Sequence, residues 1–283
     1  TWTDVKQMVV FVAGLIAVIC ALVLGLPDDV GLGEALHIAG ATGRLTTIDF
    51  QFNLNETYTF WSGLIGGLFL MLGYFGCDQS QVQRYLTAES VDAGRRSLLM
   101  SAFVKIPLQA LILLTGVLVF TFYLFQTPPM LFNPVHEAEV QASSRAAEWA
   151  ALDTEFHNVL DVRRTAVHDA VTARRTDNPA AVRVAQAAFV EHQRNLTTIR
   201  GRAVSLVKDV TQDDSYNDVN YVFPTFVTTE LPIGLVGLIV AAIFAAAMSS
   251  IAAELNSLST ATVIDMYRRH IRTDASDQHY LRV

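Results

Sequence analysis

The sequence predicts an all-α membrane protein, and three observations support this prediction. Hydrophobic residues make up 52% of the 283 residues and charged residues only 17%, whereas soluble domains carry roughly 25% charged residues. The apolar residues are concentrated in four stretches, each close to the roughly 20 residues that a helix needs to cross a bilayer. The polar segment between the third and fourth stretches is rich in Ala, Glu and Arg, which favours helix. A purely soluble enzyme and a disordered chain are both excluded.

Charge and cysteine content narrow the class of protein further. A net charge of −7 argues against a nucleic-acid partner, because a phosphate-binding surface needs a basic excess. Cys20 and Cys77 both lie in apolar stretches, so neither a disulfide framework nor a zinc site is expected. The sequence has no P-loop pattern. We therefore expect neither enzymatic activity nor an organic cofactor.

The apolar stretches define four predicted transmembrane helices. The second contains five glycines, which favour either close helix packing or a break in the helix. The fourth continues as an amphipathic helix to about Tyr267. The predicted spans are residues 8–26, 60–77, 98–125 and 231–253.

Arginines in the short loops predict the orientation in a plasma membrane or bacterial inner membrane. Short loops rich in Lys and Arg stay in the cytoplasm. Arginines occur between the second and third spans and after the fourth, which places the N-terminus of this segment and the residues after 267 inside. The segments 27–59 and 126–230 are then external. The arginines used are Arg84, Arg95, Arg96, Arg268, Arg269 and Arg272.

The long external segment predicts a helical hairpin. Residues 133–176 form one helical run, Asp177-Asn178-Pro179 supplies a turn with Pro at a helix start, and a second run continues to about Thr211. The hairpin is either a docking surface for an unknown protein or a solvated insertion. The chain therefore divides into a membrane part (1–126), an external part (127–230), and a last span with a cytoplasmic segment (231–283).

Several polar residues at membrane depth are functional candidates, because ionisable groups are expensive there. Lys105 lies in the third span. It either takes part in the function of the protein or extends its amine to the membrane–water interface. Ala246, Ser249 and Ser250 share one helix face, where a carbonyl and two hydroxyls resemble a partial sodium cage. In membrane helices such serines also bond to their own helix or to a neighbouring one.

Four sequence motifs are spread along the chain. They are Trp2-Thr3-Asp4-Val5-Lys6-Gln7, Asp78-Gln79-Ser80-Gln81-Val82-Gln83-Arg84, Ala102-Phe103-Val104-Lys105, and the segment Ala246 to Asn256 followed by Ser257 and Val263-Ile264-Asp265-Met266-Tyr267. These motifs resemble the solute:sodium symporter family, which includes the sodium/glucose and sodium/proline cotransporters. Their order and spacing match core helices five to eight of that family. The resemblance covers residues 1–126 and about 219–272, with the hairpin outside it.

The resemblance implies part of a ten-helix inverted-repeat core of the LeuT type, with an external helical hairpin inserted. It implies a sodium site that uses the Ala246 carbonyl and the Ser249 and Ser250 hydroxyls. Asp4 matches a residue of a second ion site in some members, but Ala252 and Ala253 replace the hydroxyls of that site. Glu254 is, like Asp4, a candidate residue of an ion pathway. Asp78, Gln79, Gln83 and Arg84 are motif residues with a structural role.

The resemblance also implies where a solute binds. Tyr74 matches an aromatic gate, Phe75 a stacking ring, and Lys105 a lysine of sugar-transporting relatives. Met71 stands where those relatives have an amide, and its thioether cannot donate a hydrogen bond to a sugar hydroxyl. A sugar, a polyol or an organic acid fits about equally well.

The predicted function is therefore sodium-coupled import of a small polar organic solute by alternating access. Sodium is the coupling ion, and the solute and the lipid bilayer are the other partners. The alternative hypotheses are a transporter-like membrane sensor and a docking subunit that works through the external hairpin.

Overall fold

The computed structural model describes residues 2–46, 48–53, 55–56, 59–86, 88–176 and 178–283, without the side chains of residues 2–4 and 84. These residues form helices and connecting segments with no strand among them, which confirms the all-α prediction. The α-helices are α1 (Trp2–Leu24), α2 (Leu32–Ala41), α3 (Phe60–Gly76), α4 (Gln79–Leu86), α5 (Val91–Phe125), α6 (Glu137–Ala142), α7 (Ala146–Arg175), α8 (Pro179–Thr211), α9 (Val222–Glu230), α10 (Ile233–Ala261) and α11 (Asp277–Tyr280).

In the described part of the chain, three helical stretches are long and apolar enough to cross a membrane: Val5–Leu24, Val91–Phe125 and Ile233–Ile271. They overlap the predicted first and fourth spans, although the first ends at Leu24 and the last begins at Ile233, and they contain the predicted third span. The predicted second span is the shorter helix α3, whose 17 residues extend about 26 Å. Helix α3 is continuous from Phe60 to Gly76, so the break that its glycines allow does not occur.

Helix α5 is longer than the predicted third span. It begins at Val91 and has 35 residues, which corresponds to about 52 Å and exceeds the roughly 30 Å of bilayer hydrocarbon. Pro107 lies inside this helix. Because proline has no N–H donor, the carbonyl of Phe103 lacks its usual partner within the helix.

The chain divides into two compact units, which are described separately. The first comprises residues 1–12, 48–109 and 237–283. Its helices are mostly exposed: α3 has no buried residue, and Ser257 is the buried residue of α10. Large apolar side chains cover these surfaces, including Phe69, Leu70 and Met248. Such surfaces are compatible with lipid, in which helices satisfy their own backbone hydrogen bonds.

The second unit comprises residues 13–47 and 110–236 and has a buried core. Helices α7 and α8 pack along each other, with Phe156 and Leu160 of α7 against Leu196 and Ala203 of α8. A second cluster joins α2 and the end of α5 to the other half of this helix pair. Each fully buried Leu or Phe contributes about 1.5–3 kcal/mol relative to an exposed one.

Helix α8 begins where the sequence predicts. The Asn178 side-chain oxygen accepts hydrogen bonds from the backbone N–H groups of Ala180 and Ala181, at 3.1 and 3.2 Å. Pro179 occupies the first turn, where its missing N–H has no consequence. Asp177 of the predicted turn lies outside the described residues.

The predicted single helix over residues 133–176 is instead two helices, α6 and α7. The Ser143 hydroxyl donates to the Val140 carbonyl at 2.7 Å and accepts from the Arg145 N–H at 3.1 Å. A serine that bonds to nearby backbone groups competes with the helical pattern. The chain therefore turns at residues 143–145 before α7 begins.

The amphipathic continuation of α10 is a π-helix rather than an α-helix. It covers Thr262–Ile271, and the Arg272 N–H donates to the Tyr267 carbonyl at 2.9 Å. The short helix α11 packs on it: Tyr267 and His279 stack at 5.8 Å between ring centroids, and the Tyr267 hydroxyl lies 3.0 Å from His279 Nε2. Contacts with the last residues thus stabilise the end of this helix.

Candidate functional site

The candidate solute site in the first unit centres on the end of α3. Tyr74 and Phe75 meet edge to face, with ring centroids 5.0 Å apart. Lys105 Nζ of α5 lies 5.7 Å from the Tyr74 ring centroid and 5.5 Å from that of Phe75. These distances are in the range of cation–π interactions. The structure thus brings Lys105 close to two adjacent aromatic residues that precede it by about 30 positions in the sequence.

No carboxylate within the described part of the chain pairs with Lys105. Among the described residues, the groups that stabilise its positive charge are the negative faces of two aromatic rings. Met71 lies one helical turn before Tyr74 and Phe75 and has an exposed side chain. Its thioether is a weak acceptor and cannot donate a hydrogen bond to a sugar hydroxyl.

The candidate sodium residues lie on α10. The helix is continuous through Ala246, Ser249 and Ser250, so these residues share one face, as their spacing predicts. Ser249 is half-buried, while Ala246 and Ser250 are exposed in this unit. A helical carbonyl keeps a second lone pair, so the Ala246 oxygen can contribute to a cation site without a break in the helix. Glu254 lies one turn beyond Ser250 and is exposed.

The described residues contain no group of three or more His, Cys, Asp or Glu side chains placed to hold a metal ion. This finding concerns metal sites built from His, Cys, Asp and Glu side chains. Neutral carbonyl and hydroxyl oxygens, such as those on α10, form a different kind of site. The proposed sodium ligands therefore remain a prediction.

The motif after α3 has a local structural role. Asp78 Oδ1 accepts hydrogen bonds from the Ser80 N–H at 2.9 Å and the Ser80 hydroxyl at 2.8 Å. Its carbonyl accepts from the N–H groups of Gln81 and Val82. Asp78 therefore caps the N-terminus of α4. Gln79 is exposed.

One contact joins two of the sequence motifs. The Asn256 side-chain amide of α10 donates to Gln83 Oε1 of α4 at 3.0 Å. The two residues are 173 positions apart. The sequence placed both residues in motifs, but gave no sign that they touch. The side chains of Asp4 and Arg84, two further motif residues, lie outside the described part of the structure.

A family model of sodium:solute symporters matches residues 198–283. The match begins inside α8, so the expected boundary at about residue 219 is wrong, and the end of the helical pair belongs to the matched segment. The match includes all of α10 and the π-helix. It therefore covers the candidate sodium residues and Asn256.

Curated relatives are sodium-coupled transporters. The sodium-dependent multivitamin transporter of Oryctolagus cuniculus is 33% identical over 126 residues, which cover 43% of this chain and 19% of the relative. Human sodium-coupled monocarboxylate transporter 1 is 39% identical over 89 residues (31% and 14%). The human sodium/iodide cotransporter is 30% identical over 132 residues (46% and 20%).

The chain spans about a fifth of the length of the first of these relatives. No solved structure matches. The family resemblance is nevertheless confirmed, since a family model and several relatives agree. The relatives and the apolar helices also support a multi-pass membrane location.

Proposed function

This chain resembles the sodium:solute symporter family over part of its length, and we propose that it forms part of a sodium-coupled symporter that imports a small organic acid. The family and the relatives support sodium-coupled symport. The organic acid, the residues that bind it and the alternating-access mechanism are our proposals. The observation that carries the choice of solute is the position of Lys105 Nζ, 5.7 and 5.5 Å from the centroids of two aromatic rings, with no carboxylate paired to it among the described residues.

A carboxylate is the solute group that fits Lys105 best. A lysine within a membrane-spanning helix is costly unless it faces a cavity or meets an opposite charge. In this chain it lies over Tyr74 and Phe75, which offer apolar faces to the rest of a solute. Met71 supports an acid over a sugar, because it offers no donor to hydroxyl groups. Two of the relatives carry names that specify anions, monocarboxylate and iodide.

Sodium binding on α10 drives the proposed cycle. Sodium from outside binds the Ala246 carbonyl and the hydroxyls of Ser249 and Ser250, which favours the outward-open state. The acid then binds at Lys105 and the outer gate closes. The sodium ion and the acid are then released to the cytoplasm. A tenfold sodium gradient supplies about 1.4 kcal/mol per ion without ATP. Asp4 and Glu254 are proposed to line the ion pathway, and altered pH dependence of uptake in Glu254→Gln would support that role.

Uptake into proteoliposomes made with the full-length protein tests the proposal. We expect saturable uptake of radiolabelled lactate under an inward sodium gradient and none under a potassium gradient. Lys105→Gln should abolish it, whereas the matched variant Lys208→Gln should not, because the Lys208 amine bonds to the Asp214 carbonyl outside the solute site.

The results of this uptake assay distinguish the hypotheses. Uptake that does not depend on sodium would overturn coupled symport. Competition by glucose equal to that by lactate would overturn the choice of an acid while keeping the coupling. The docking hypothesis predicts that Ser249→Ala leaves the function of the protein intact.

A further inference from the structure

The second unit contains a cavity of about 560 Å³ that the transport proposal does not use. Its walls come from the end of α5, from α7 and α8, and from the segment that follows α8. Among the described residues, three arginines line it, Arg44, Arg163 and Arg200, together with one carboxylate, Asp218. The lining therefore carries three positive charges against one negative charge.

Arg163 is the most deeply buried of these arginines, with only 4% of its surface exposed. Its guanidinium donates to Gln193 Oε1 at 3.1 Å and to the Tyr123 carbonyl at 2.7 Å, both neutral acceptors. Its Nε is buried and has no hydrogen-bond partner in the described structure. Burial, followed by the charges of Arg164 and Arg200, lowers the pKa of Arg163 to about 10. An anion nearby would relieve this destabilisation of the cation.

The other two arginines lie against aromatic rings. Arg44 Cζ is 3.9 Å from the Phe120 ring centroid, and no carboxylate of the described residues pairs with it. Arg200 pairs with Asp218 and lies 4.9 Å from the Phe132 ring centroid. Asp218 thus neutralises one arginine and leaves a positive excess in the cavity.

We propose that this cavity is a second binding site, which takes a small carboxylate with an apolar or aromatic body. The guanidinium group is a planar fork that matches a carboxylate. The rings of Phe120 and Phe132 supply apolar walls, and the volume is in the range of small-molecule sites. The positive charges of Arg44 and Arg163 are not neutralised by these contacts, because Arg44 lies over the Phe120 ring and Arg163 donates to neutral oxygens. This site requires neither sodium nor the transport site.

Calorimetric titration of the full-length protein in lipid nanodiscs tests the proposal. The probe is potassium benzoate in potassium chloride buffer, so that no sodium is present. All variants carry Lys105→Gln, which removes the carboxylate site proposed for transport. Benzamide, which has the same shape without the charge, is the matched ligand control.

We expect saturable benzoate binding, no benzamide binding, and affinity at least about tenfold lower in Arg44→Gln, which removes a charge-assisted contact. Arg202→Gln is the matched protein control, because Arg202 pairs with Glu155 at 2.9 Å and does not line the cavity. Arg163→Lys should weaken binding similarly. Arg163 also holds a carbonyl at the end of α5, so thermal unfolding of that variant is measured alongside.

Three results would each overturn the second site: no saturable benzoate binding, equal binding of benzamide, or equal affinities of Arg44→Gln and Arg202→Gln. Arg44 is exposed and Arg163 is buried, so replacing Arg44 disturbs the core less than replacing Arg163. If the wild-type protein took up no lactate in liposomes, the second site would still stand. The titration is independent of transport, because its buffer contains no sodium and its protein has Lys105 replaced.

Discussion

Ser249 is the single residue on which sodium coupling can be tested most directly. It is half-buried on a continuous helix, one turn from Ala246. Alanine removes one oxygen ligand of the proposed cation site, and a loss of about 1.4 kcal/mol corresponds to tenfold lower affinity. We expect Ser249→Ala to raise the sodium concentration for half-maximal uptake about tenfold or more. Ser259→Ala, on the same helix beyond the proposed site, should leave it unchanged. Equal shifts in the two variants would contradict the assignment.

Asp218 is a second residue whose contacts predict a measurable effect, here on stability. Its buried carboxylate accepts from the N–H groups of Phe132 and Asn133 and pairs with Arg200. Removing it leaves buried donors and a cation without a partner, which costs about 3–5 kcal/mol. We expect Asp218→Ala to lower the melting temperature of the purified protein by several degrees. The exposed Asp214→Ala should change the free energy of unfolding by about 0.5 kcal/mol or less.

At the scale of elements, α2 is joined to α7 by an ion pair that also caps α2. Glu34 accepts from the Gly31 N–H at 2.9 Å and from two nitrogens of Arg175 at 2.8 Å. The Arg175 hydrogen bonds, followed by that from Gly31, lower the pKa of Glu34 to about 2. Because the folded pKa lies below the unfolded value, this stabilisation is present above about pH 4.5 and is lost as the pH falls towards 2.

Glu34→Gln should therefore lower the melting temperature at pH 7, and its difference from wild type should shrink below about pH 4.5. Melting of both proteins in detergent across that pH range measures the effect. Glu191→Gln, an exposed glutamate on α8, is the matched control and should show no such trend. A difference between wild type and Glu34→Gln that is constant from pH 7 to pH 3 would show that the carboxylate charge does not stabilise this contact.

Local sequence signals predicted those elements whose causes are local. Asn178 and Pro179 fix the start of α8, and apolar runs of sufficient length mark the long spans. The break before α7 was missed because it depends on the two hydrogen bonds of Ser143, which compete with a favourable helix composition. The π-helix was missed because its residues have the same amphipathic pattern as an α-helix.

The sequence predicted only those residues of the candidate site that the family resemblance identifies. The resemblance named Tyr74, Phe75 and Lys105, and the structure brings them together. The Gln83–Asn256 hydrogen bond and the arginine cavity arise from tertiary packing between distant segments. No spacing rule along one helix or loop can reveal such contacts.

For the whole molecule, the net charge moved in each cycle follows from the two proposed sites. Ala252 and Ala253 replace the hydroxyls expected of a second sodium site, so we propose one sodium per cycle. One sodium and one monocarboxylate carry no net charge together. A neutral solute with the same sodium would move one positive charge, and 100 mV would then supply about 2.3 kcal/mol. That energy corresponds to about 50-fold accumulation.

An imposed membrane potential therefore distinguishes an acid from a neutral solute. With equal sodium on both sides, a potassium–valinomycin potential of about −100 mV should not drive lactate accumulation in proteoliposomes, because the cycle is electroneutral. A tenfold sodium gradient without a potential should drive accumulation of about tenfold. Liposomes without protein control for passive entry of lactic acid. Accumulation of lactate driven by the potential alone would contradict one-to-one coupling, since the transported complex would then carry a positive charge that Lys105 and a single sodium site do not explain.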